Sequence, residues 1–487
     1  MFQKLQQFRN SKFLFILLFL VGSFSFQYVY DIKSLIFVLL SFCVSLYILF
    51  DFSIKEILFY SVILFFVLEK GIRGWNFSVV SPGNESWIEG YNFYYGVSIR
   101  TILILTTFIL SIPEIARFIK KSNSKFLNNN LWIINVLLLL TIISTVLSSD
   151  YVLSFFGLLR IIQSLLLLLV SLIFVQKKKN IDYLFLSIFS LAIYTGFVGI
   201  LQNINQGPLG WFLEEATYLG SGFFTSDGER LYRASGLFGH PTFYASFMSI
   251  LLPVLIGYLL KNYKQSQTKI FFYVIGIISL VLGTILTYSR SSWFSSIFVV
   301  SLMFVMYFKK NNFIYYKYKK TIISILSILL LIPIIIKTVG NRIISSLEFI
   351  SDGSGAVRID LIRQSMISIS KFPLFGSGLN LSPRLMVSQS LLEPNLLGFI
   401  YPVHNTFILF FVEIGVIAGL IFIYLIIYNL VKSFKYVKFN FISLGIWLGI
   451  VAFILNAQVH TLFSQDPSYD LLFLLLGMNL GLCQKKI

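Results

Sequence analysis

The stretch HNTFILFFVEIGVIAGLIFIYLIIYNL, from His404 to Leu430, decides the fold class. Glu413 is its one charged residue, and about 20 consecutive apolar residues are enough for a helix to cross a bilayer. Similar runs recur along the 487 residues, of which 57% are hydrophobic and 12% charged, with a mean hydropathy of +0.85. Soluble proteins carry about twice that charged fraction. The chain is therefore predicted to be an all-α, polytopic helical membrane protein.

The spacing of the apolar runs predicts about 12–14 transmembrane helices in one membrane domain, 1–487. The predicted helices lie near 13–28, 34–50, 55–68, 99–116, 131–148, 152–175, 182–201, 239–260, 270–287, 291–308, 321–338, 404–430, 441–459 and 468–482. The helices before residue 201 carry few distinctive motifs. A tight turn must separate the helix that ends at 287 from the one that begins at 291.

The net charge of +18 follows this predicted topology. Lysine-rich connections such as QKKKN (176–180) and KNYKQSQTK (261–269) alternate with long polar loops at 69–98, 202–238 and 339–403. Lysine and arginine concentrate on the cytoplasmic side of membrane proteins, so both termini are predicted to be cytoplasmic and the long loops outside. The charge excess therefore needs no nucleic-acid partner.

Metal and cofactor sites are not predicted. Cys43 and Cys483 lie in apolar helix contexts, which excludes a disulfide framework and a thiolate metal site. The three histidines are scattered along the chain, and no pair of carboxylates has the spacing of metal ligands. The sequence also lacks a nucleotide-binding loop.

The last long loop contains VRIDLIRQSMISIS (357–370), followed by Pro373 and a Gly-Ser-Gly turn. Its apolar residues recur at helical spacing, at Ile359, Ile362, Met366 and Ile369. This pattern predicts an amphipathic helix that lies on the outer membrane surface.

Histidine and arginine concentrate on the predicted outer side. The residues are His240, His404 and His460, with Arg233, Arg290, Arg342, Arg358, Arg363 and Arg384. The planar guanidinium suits bidentate contact with phosphate oxygens, so the set points to a phosphate or pyrophosphate ligand. Binding of lipid headgroups is the alternative for each single arginine.

His404 is a candidate general base because imidazole titrates near neutral pH, although a lone histidine at a helix mouth is more often structural. Asn405 can cap the helix or orient its neighbour. Arg160 lies deeper, roughly 13 Å beyond Tyr151 along a helix, where it either lines a substrate groove or pairs with Glu413.

These residues occur in the order of a known family pattern, which spans 229–430. The motif residues are Arg233, Gly236 and Pro241; Thr287, Ser289 and Arg290; Arg358; Pro373, Leu374, Gly376 and Gly378; and His404, Asn405, Glu413 and Gly415. The chain resembles the O-antigen ligase and O-antigen polymerase superfamily of bacterial inner membranes. It appends more amino-terminal helices than the family core needs.

The resemblance implies a metal-independent membrane glycosyltransferase of the GT-C type. Its donor would be a glycan on undecaprenyl pyrophosphate at the periplasmic face, and its acceptor a hydroxyl of the lipid A core sugar. The implied catalytic residues are His404 as the base, with Arg290 and Arg233 on the pyrophosphate. The implied substrate-binding residues are Arg358, Arg363, Asn405 and Arg160.

Three alternatives stay open. A polymerase shares these motifs but uses another lipid-linked repeat as the acceptor. A flippase or exporter of lipid-linked oligosaccharides needs a charged cavity that continues through the membrane, and here the arginines concentrate near one face. A peptidoglycan glycosyltransferase needs an acidic loop residue as base; Asp352, Asp360 and Glu393 are present without the surrounding motif.

Overall fold

The computed structural model is almost entirely helical in the residues that it describes. These are residues 12–25, 32–68, 98–122, 124–210, 222–224, 230–238, 240–263, 266–310, 353–383, 385, 402–437, 440–462 and 467–484. The predicted helix near 321–338 lies outside them, as do Arg342 and Arg384.

The helices, numbered α1 to α14 along the chain, have the following bounds: α1 Lys12–Ser25, α2 Ile32–Phe50, α3 Ile54–Leu68, α4 Ile99–Lys121, α5 Lys125–Val146, α6 Tyr151–Phe174, α7 Lys178–Ile204, α8 Pro241–Asn262, α9 Gln267–Leu286, α10 Arg290–Lys310, α11 Gly353–Lys371, α12 Thr406–Val437, α13 Phe441–Ala457 and α14 Pro467–Gln484. Between α7 and α8, β1 (Gly222–Phe224) pairs antiparallel with β2 (Arg230–Tyr232), and Phe223 lies opposite Leu231.

The predicted fold class is confirmed. Eight described helices are long and apolar enough to cross a membrane, namely α4 to α10 and α12. Two predicted bounds were too short: α4 continues to Lys121, and α5 already begins at Lys125. The backbone hydrogen bonds of a helix continue through polar flanks, so the end of an apolar run does not mark the end of the helix.

Glycines permit the close packing of the central helices. On α14, Gly481 faces α6, where an added Cβ would lie 2.5 Å from the carbonyl oxygen of Leu172. On α13, a Cβ at Gly445 would lie 2.6 Å from the carbonyl oxygen of Pro253 on α8. Lipid provides no hydrophobic driving force between helices, so helix association depends on close packing. Small residues let the backbones approach each other and gain dispersion contacts.

The alternating direction of the helices gives the bundle two chemically different ends. At one, here called the lysine end, the Lys12 Nζ and Asp182 Oδ2 atoms form an ion pair of 2.6 Å, and the Tyr258 hydroxyl donates to Asp182 at 3.0 Å. The opposite end, here called the histidine end, is where α8, α10 and α12 begin and where α9 and α13 end. His240 and His460 both belong to that end.

Helix α12 was predicted as one continuous helix, and this is wrong in one respect: it is broken at Gly415, whose φ is 84° and ψ 164°. The break interrupts the helical hydrogen bonding of α12. The turn after α11 supplies partners, because Ser377 N donates to Val412 O and Gly378 N to Glu413 O, each at 2.9 Å. Val416 N in turn donates to Pro373 O at 2.9 Å.

Two sequence motifs therefore form one joint. The Pro-Leu-x-Gly-x-Gly turn, here called the 373–378 turn, fills the break that Gly415 makes in α12. A Cβ at Gly415 would collide with the carbonyl oxygen of Leu374, and Gly376 and Gly378 also have positive φ angles of 69° and 101°. The buried Glu413 belongs to the joint, since its backbone oxygen also accepts from the Ser144 hydroxyl at 2.9 Å.

A buried polar network ties α4, α6 and α14 together. Arg100 Nη2 lies 3.1 Å from Asp470 Oδ2, and the Gln163 amide donates to the same oxygen at 2.8 Å. The Ser164 hydroxyl donates to the other carboxylate oxygen, and Thr101 donates to Gln163 at 2.5 Å. Asp470 also lies in the first turn of α14, where the helix dipole favours a negative charge.

We expect Gly415→Ala to destabilise the protein by more than about 2 kcal/mol, because the new methyl group meets the Leu374 carbonyl and the backbone stays strained. Thermal unfolding of the purified chain in detergent measures this. Gly207→Ala is the control, since the nearest atom to its Cβ is 3.8 Å away. Equal melting temperatures for the two variants would contradict the role of the joint.

We expect Asp470→Leu to cost about 3–5 kcal/mol, because it leaves the buried Arg100 without its carboxylate. The double variant Arg100→Leu/Asp470→Leu should recover most of that loss, since it buries no charge at this position. Melting temperatures of the wild type, the two single variants and the double variant measure the coupling between Arg100 and Asp470. Additive losses in the double variant would show that the ion pair is not what stabilises this contact.

Candidate active site

The site is built where five helix termini meet at the histidine end. His240 is the N-cap of α8. Its Nδ1 atom accepts from the Thr242 backbone N at 3.2 Å and lies 2.6 Å from the Thr242 hydroxyl. Pro241 follows at the first helical position, where its missing N–H and fixed φ suit a helix start.

Arg233 is fixed against the end of α9. Its Nε atom donates to the backbone oxygen of Thr287 at 2.8 Å, and the neighbouring Ala234 N donates to Leu286 O at 3.0 Å. The turn between α9 and α10 has Tyr288 at a φ of 52°, which confirms the tight turn predicted before residue 291. Arg290 is the first residue of α10. Two motifs far apart in sequence therefore meet at Thr287.

Asn405 caps α12, as the sequence predicted. Its side-chain oxygen accepts from Phe407 N at 3.0 Å and Ile408 N at 3.1 Å. Its amide donates to the backbone oxygen of Gln458 at 3.1 Å. The cap fixes where the helix begins, and therefore where the preceding residue, His404, lies.

His404 presents a buried Nδ1 atom that has no hydrogen-bond partner among the described residues. Burial, and then the positive charge of Arg358, lower the pKa of His404 to about 4. The imidazole is therefore neutral at neutral pH, so it can accept a proton. A neutral ring with an available nitrogen can accept a proton, which is one requirement of a general base.

His460 is the buried centre of the site, although nothing in its sequence context distinguished it from the other two histidines. Its Nε2 atom lies 2.6 Å from the Ser291 hydroxyl, and its backbone oxygen accepts from the Thr406 hydroxyl at 2.7 Å. Burial lowers the pKa of His460 well below its usual value, and Arg358, His404, His240 and Arg233 lower it further. One sequence signal could have found it, because all three histidines lie next to an end of an apolar helix. His460 follows such a helix, and His240 and His404 each precede one.

These electrostatic interactions define the histidine–arginine cluster, which comprises Arg233, His240, Arg358, His404 and His460. Its fixed charges are those of Arg233 and Arg358, and both are positive. Arg290 lies beside the cluster, since the next residue contacts His460. Concentrated fixed positive charge at one mouth of the bundle is suited to a multiply charged anion.

The remaining candidate residues lie in different places. Arg358 belongs to the cluster, whereas the Arg363 side chain is 62% exposed and lies 3.7 Å from Asp360 on the same helix. Arg160 is half-buried on α6. The contact of these three residues with a substrate stays a prediction, as does a pairing of Arg160 with Glu413.

The helix predicted in the last long loop is α11, and it is amphipathic. Leu361, Gln364 and Ser365 are buried towards the protein, whereas Ile359 and Met366 are 41% and 49% exposed. Gln364 and Ser365 therefore pack on the bundle together with Leu361, whereas apolar residues are among those that face outward. Among the described residues, no group of three or more histidines, cysteines and carboxylates could hold a metal ion.

The family comparison agrees with this geometry. Residues 275–423 match the family model described as O-antigen ligase. This match supports the O-antigen ligase and polymerase superfamily for that part of the chain. No curated protein matches the chain. The matched range contains Arg290, Arg358 and His404, and also both halves of the joint at Gly415.

The match and the apolar helices support a general class for the protein. That class is a multi-pass bacterial membrane protein of the glycosyltransferase type, with ligase-like or polymerase-like activity on lipid-linked glycans. Arg233 and His460 lie outside the matched residues. The folded chain brings both of them to the same cluster as the family residues.

Proposed function

We propose that the protein transfers a glycan from undecaprenyl pyrophosphate to a hydroxyl of the lipid A core sugar. The reaction would take place at the periplasmic face of the inner membrane, with both chain termini in the cytoplasm. The observation that carries the proposal is the histidine–arginine cluster, in which a neutral imidazole lies among fixed cations. A lipid-linked pyrophosphate is an anion that needs such charge, and an acceptor hydroxyl needs such a base.

The proposed chemistry balances with the residues in the cluster. The bond between the anomeric carbon and the pyrophosphate oxygen breaks, and a bond from that carbon to the acceptor oxygen forms. The acceptor proton passes to His404, and undecaprenyl pyrophosphate departs. Arg233 and Arg290 stabilise the negative charge of the leaving group, and arginine does so without titrating near neutral pH. Arg358 acts on His404 and is placed to contact the donor as well.

The histidine end also favours a transferase over an exporter. Below the cluster, the buried Asn456 side chain accepts from Ser292 at 2.8 Å and donates to Ser249 at 3.0 Å and to Ser295 at 3.1 Å. These bonds connect α8, α10 and α13 across the bundle. An exporter would need an open path between these helices, whereas here the side chains are buried and bonded to one another. A transferase needs only an opening at the face where its substrates meet.

A deletion strain tests the proposed function and separates ligase from polymerase. Without a ligase, polymer accumulates on undecaprenyl pyrophosphate and the lipopolysaccharide loses its ladder. Without a polymerase, the lipid A core carries a single repeat. We expect the ligase phenotype in the deletion strain. The wild-type chain should restore the ladder, and so should the control Ser187→Ala, because the Ser187 hydroxyl donates to the Tyr183 backbone oxygen of the same helix.

His404→Ala should reproduce the deletion phenotype, with transfer at least about 100-fold below wild type, because general-base catalysis contributes about 10²–10⁴-fold. The variant must be present in the membrane at the wild-type level. Glycan attachment at the wild-type rate in His404→Ala would show that another group takes the proton.

The pH dependence of transfer should differ between the free enzyme and the donor complex. The pKa of His404 is about 4 in the free protein. A bound pyrophosphate favours the protonated imidazole and should raise that pKa by about 1–3 units. A base is active only above its pKa, so the acid limb of kcat should lie at higher pH than that of kcat/KM. Coincident acid limbs would argue against His404 as a base next to the donor anion.

A further inference from the structure

Residues 456–462, which end α13 and continue beyond it, contact several of the elements that make up the site. Asn456 joins α8 and α10 through the serine contacts described above. Gln458 accepts from Asn405 through its backbone oxygen at 3.1 Å and through its side-chain oxygen at 3.3 Å. The segment therefore joins α8, α10 and the start of α12.

The same segment holds the backbone on both sides of His404. Before it, the Thr461 hydroxyl donates to Val403 O at 3.1 Å. After it, the Thr406 hydroxyl donates to the His460 backbone oxygen at 2.7 Å and accepts from Leu462 N at 2.9 Å. With both neighbours fixed, the position of the His404 ring depends on where residues 456–462 lie.

A second side-chain contact connects this segment to the start of α10, in addition to the bond between Ser292 and Asn456. The Ser291 hydroxyl lies 2.6 Å from His460 Nε2. Ser291 follows Arg290 directly and is in the first turn of α10. The contact is therefore placed to adjust the distance between Arg290 and the loop that carries His404.

We propose that His460 is a positioning residue, whose hydrogen bond to Ser291 holds Arg290 and His404 at the separation that glycan transfer requires. The inference rests on the proposed function, because it assigns those two residues to the leaving group and the base. His460 acts through its neighbours and does not touch the substrate. It is 3% exposed, and its Nε2 atom is occupied by Ser291.

The role requires a hydrogen-bonding group of the right length and no proton transfer. His460→Gln keeps an amide that can bond Ser291, whereas His460→Leu keeps comparable bulk without the bond. On the other side, Ser291→Thr keeps the hydroxyl and Ser291→Ala removes it. These two matched pairs separate the hydrogen bond from the volume of either side chain.

We expect kcat for glycan transfer to fall about 10–100-fold in His460→Leu and in Ser291→Ala, since small misplacements of reacting groups cost about that much. The KM for the lipid-linked donor should change less. His460→Gln and Ser291→Thr should stay within about threefold of wild type. The double variant Ser291→Ala/His460→Leu should be no worse than the worse single variant, because both remove one bond.

Three results would overturn the proposal. Wild-type kcat in Ser291→Ala would show that the hydrogen bond between Ser291 and His460 does not affect transfer. This variant removes only one hydroxyl, so it avoids the folding risk of His460→Leu. A His460→Gln protein that folds but is as impaired as His460→Leu would show that the imidazole itself reacts. Additive losses in the double variant would show that the two residues act separately.

A second measurement does not depend on transfer. Diethyl pyrocarbonate modifies accessible imidazole nitrogens, and mass spectrometry of the purified full chain reports the rate at His404. We expect this rate to rise at least threefold in His460→Leu and Ser291→Ala, and to return to the wild-type rate in His460→Gln and Ser291→Thr. An unchanged rate in both loss variants overturns the positioning role. Failure of His404→Ala to reduce transfer would instead overturn the proposed base.

Discussion

A backbone within a membrane must satisfy its own hydrogen bonds, and at Gly415 this protein meets that demand with a second segment of the chain. The break in α12 interrupts the helical bonding of Val412 and Glu413, and the 373–378 turn supplies the missing donors. Each part needs the other, since the turn would be an unsatisfied loop without the broken helix. The first turns of α12, and with them His404, are thereby fixed to the segment that follows α11.

Another segment, residues 456–462, holds the backbone around His404. Residues 456–462 leave the helical conformation at the end of α13 and bond the side chains and backbone at the start of α12. Two segments therefore hold the first turns of α12. The 373–378 turn contacts the helix around Gly415, and residues 456–462 contact its start. The imidazole that we propose as the base lies next to the start of α12 and is held through its neighbours, although no regular element carries it.

The positive charges of the histidine–arginine cluster repel one another, and this repulsion destabilises the folded site. Arg233, Arg358 and three histidines lie close enough to influence one another, and burial and the arginines keep the histidines His404 and His460 neutral. Like charges that lie this close repel one another. A pyrophosphate among them would relieve that repulsion, so the proposed donor would also stabilise the cluster.

The sequence alone determined the membrane fold, since a span such as 404–430 has no other way to bury its apolar surface and satisfy its backbone. It also determined which residue types lie at each end of the bundle, because lysine-rich connections alternate with long loops. It predicted Asn405 as a cap from local chemistry, and the tight turn before Arg290 from the lengths of the two helices around it.

Only the tertiary structure decided which distant residues meet. Arg100 with Asp470, Gly376 with Gly415, and Ser291 with His460 are each separated by long stretches of chain, and periodicity and local propensity carry no information on such pairs. The break in α12 was hidden for the same reason. A glycine in an apolar run is compatible with a continuous helix, and only the 373–378 turn packed against it makes the broken conformation the stable one.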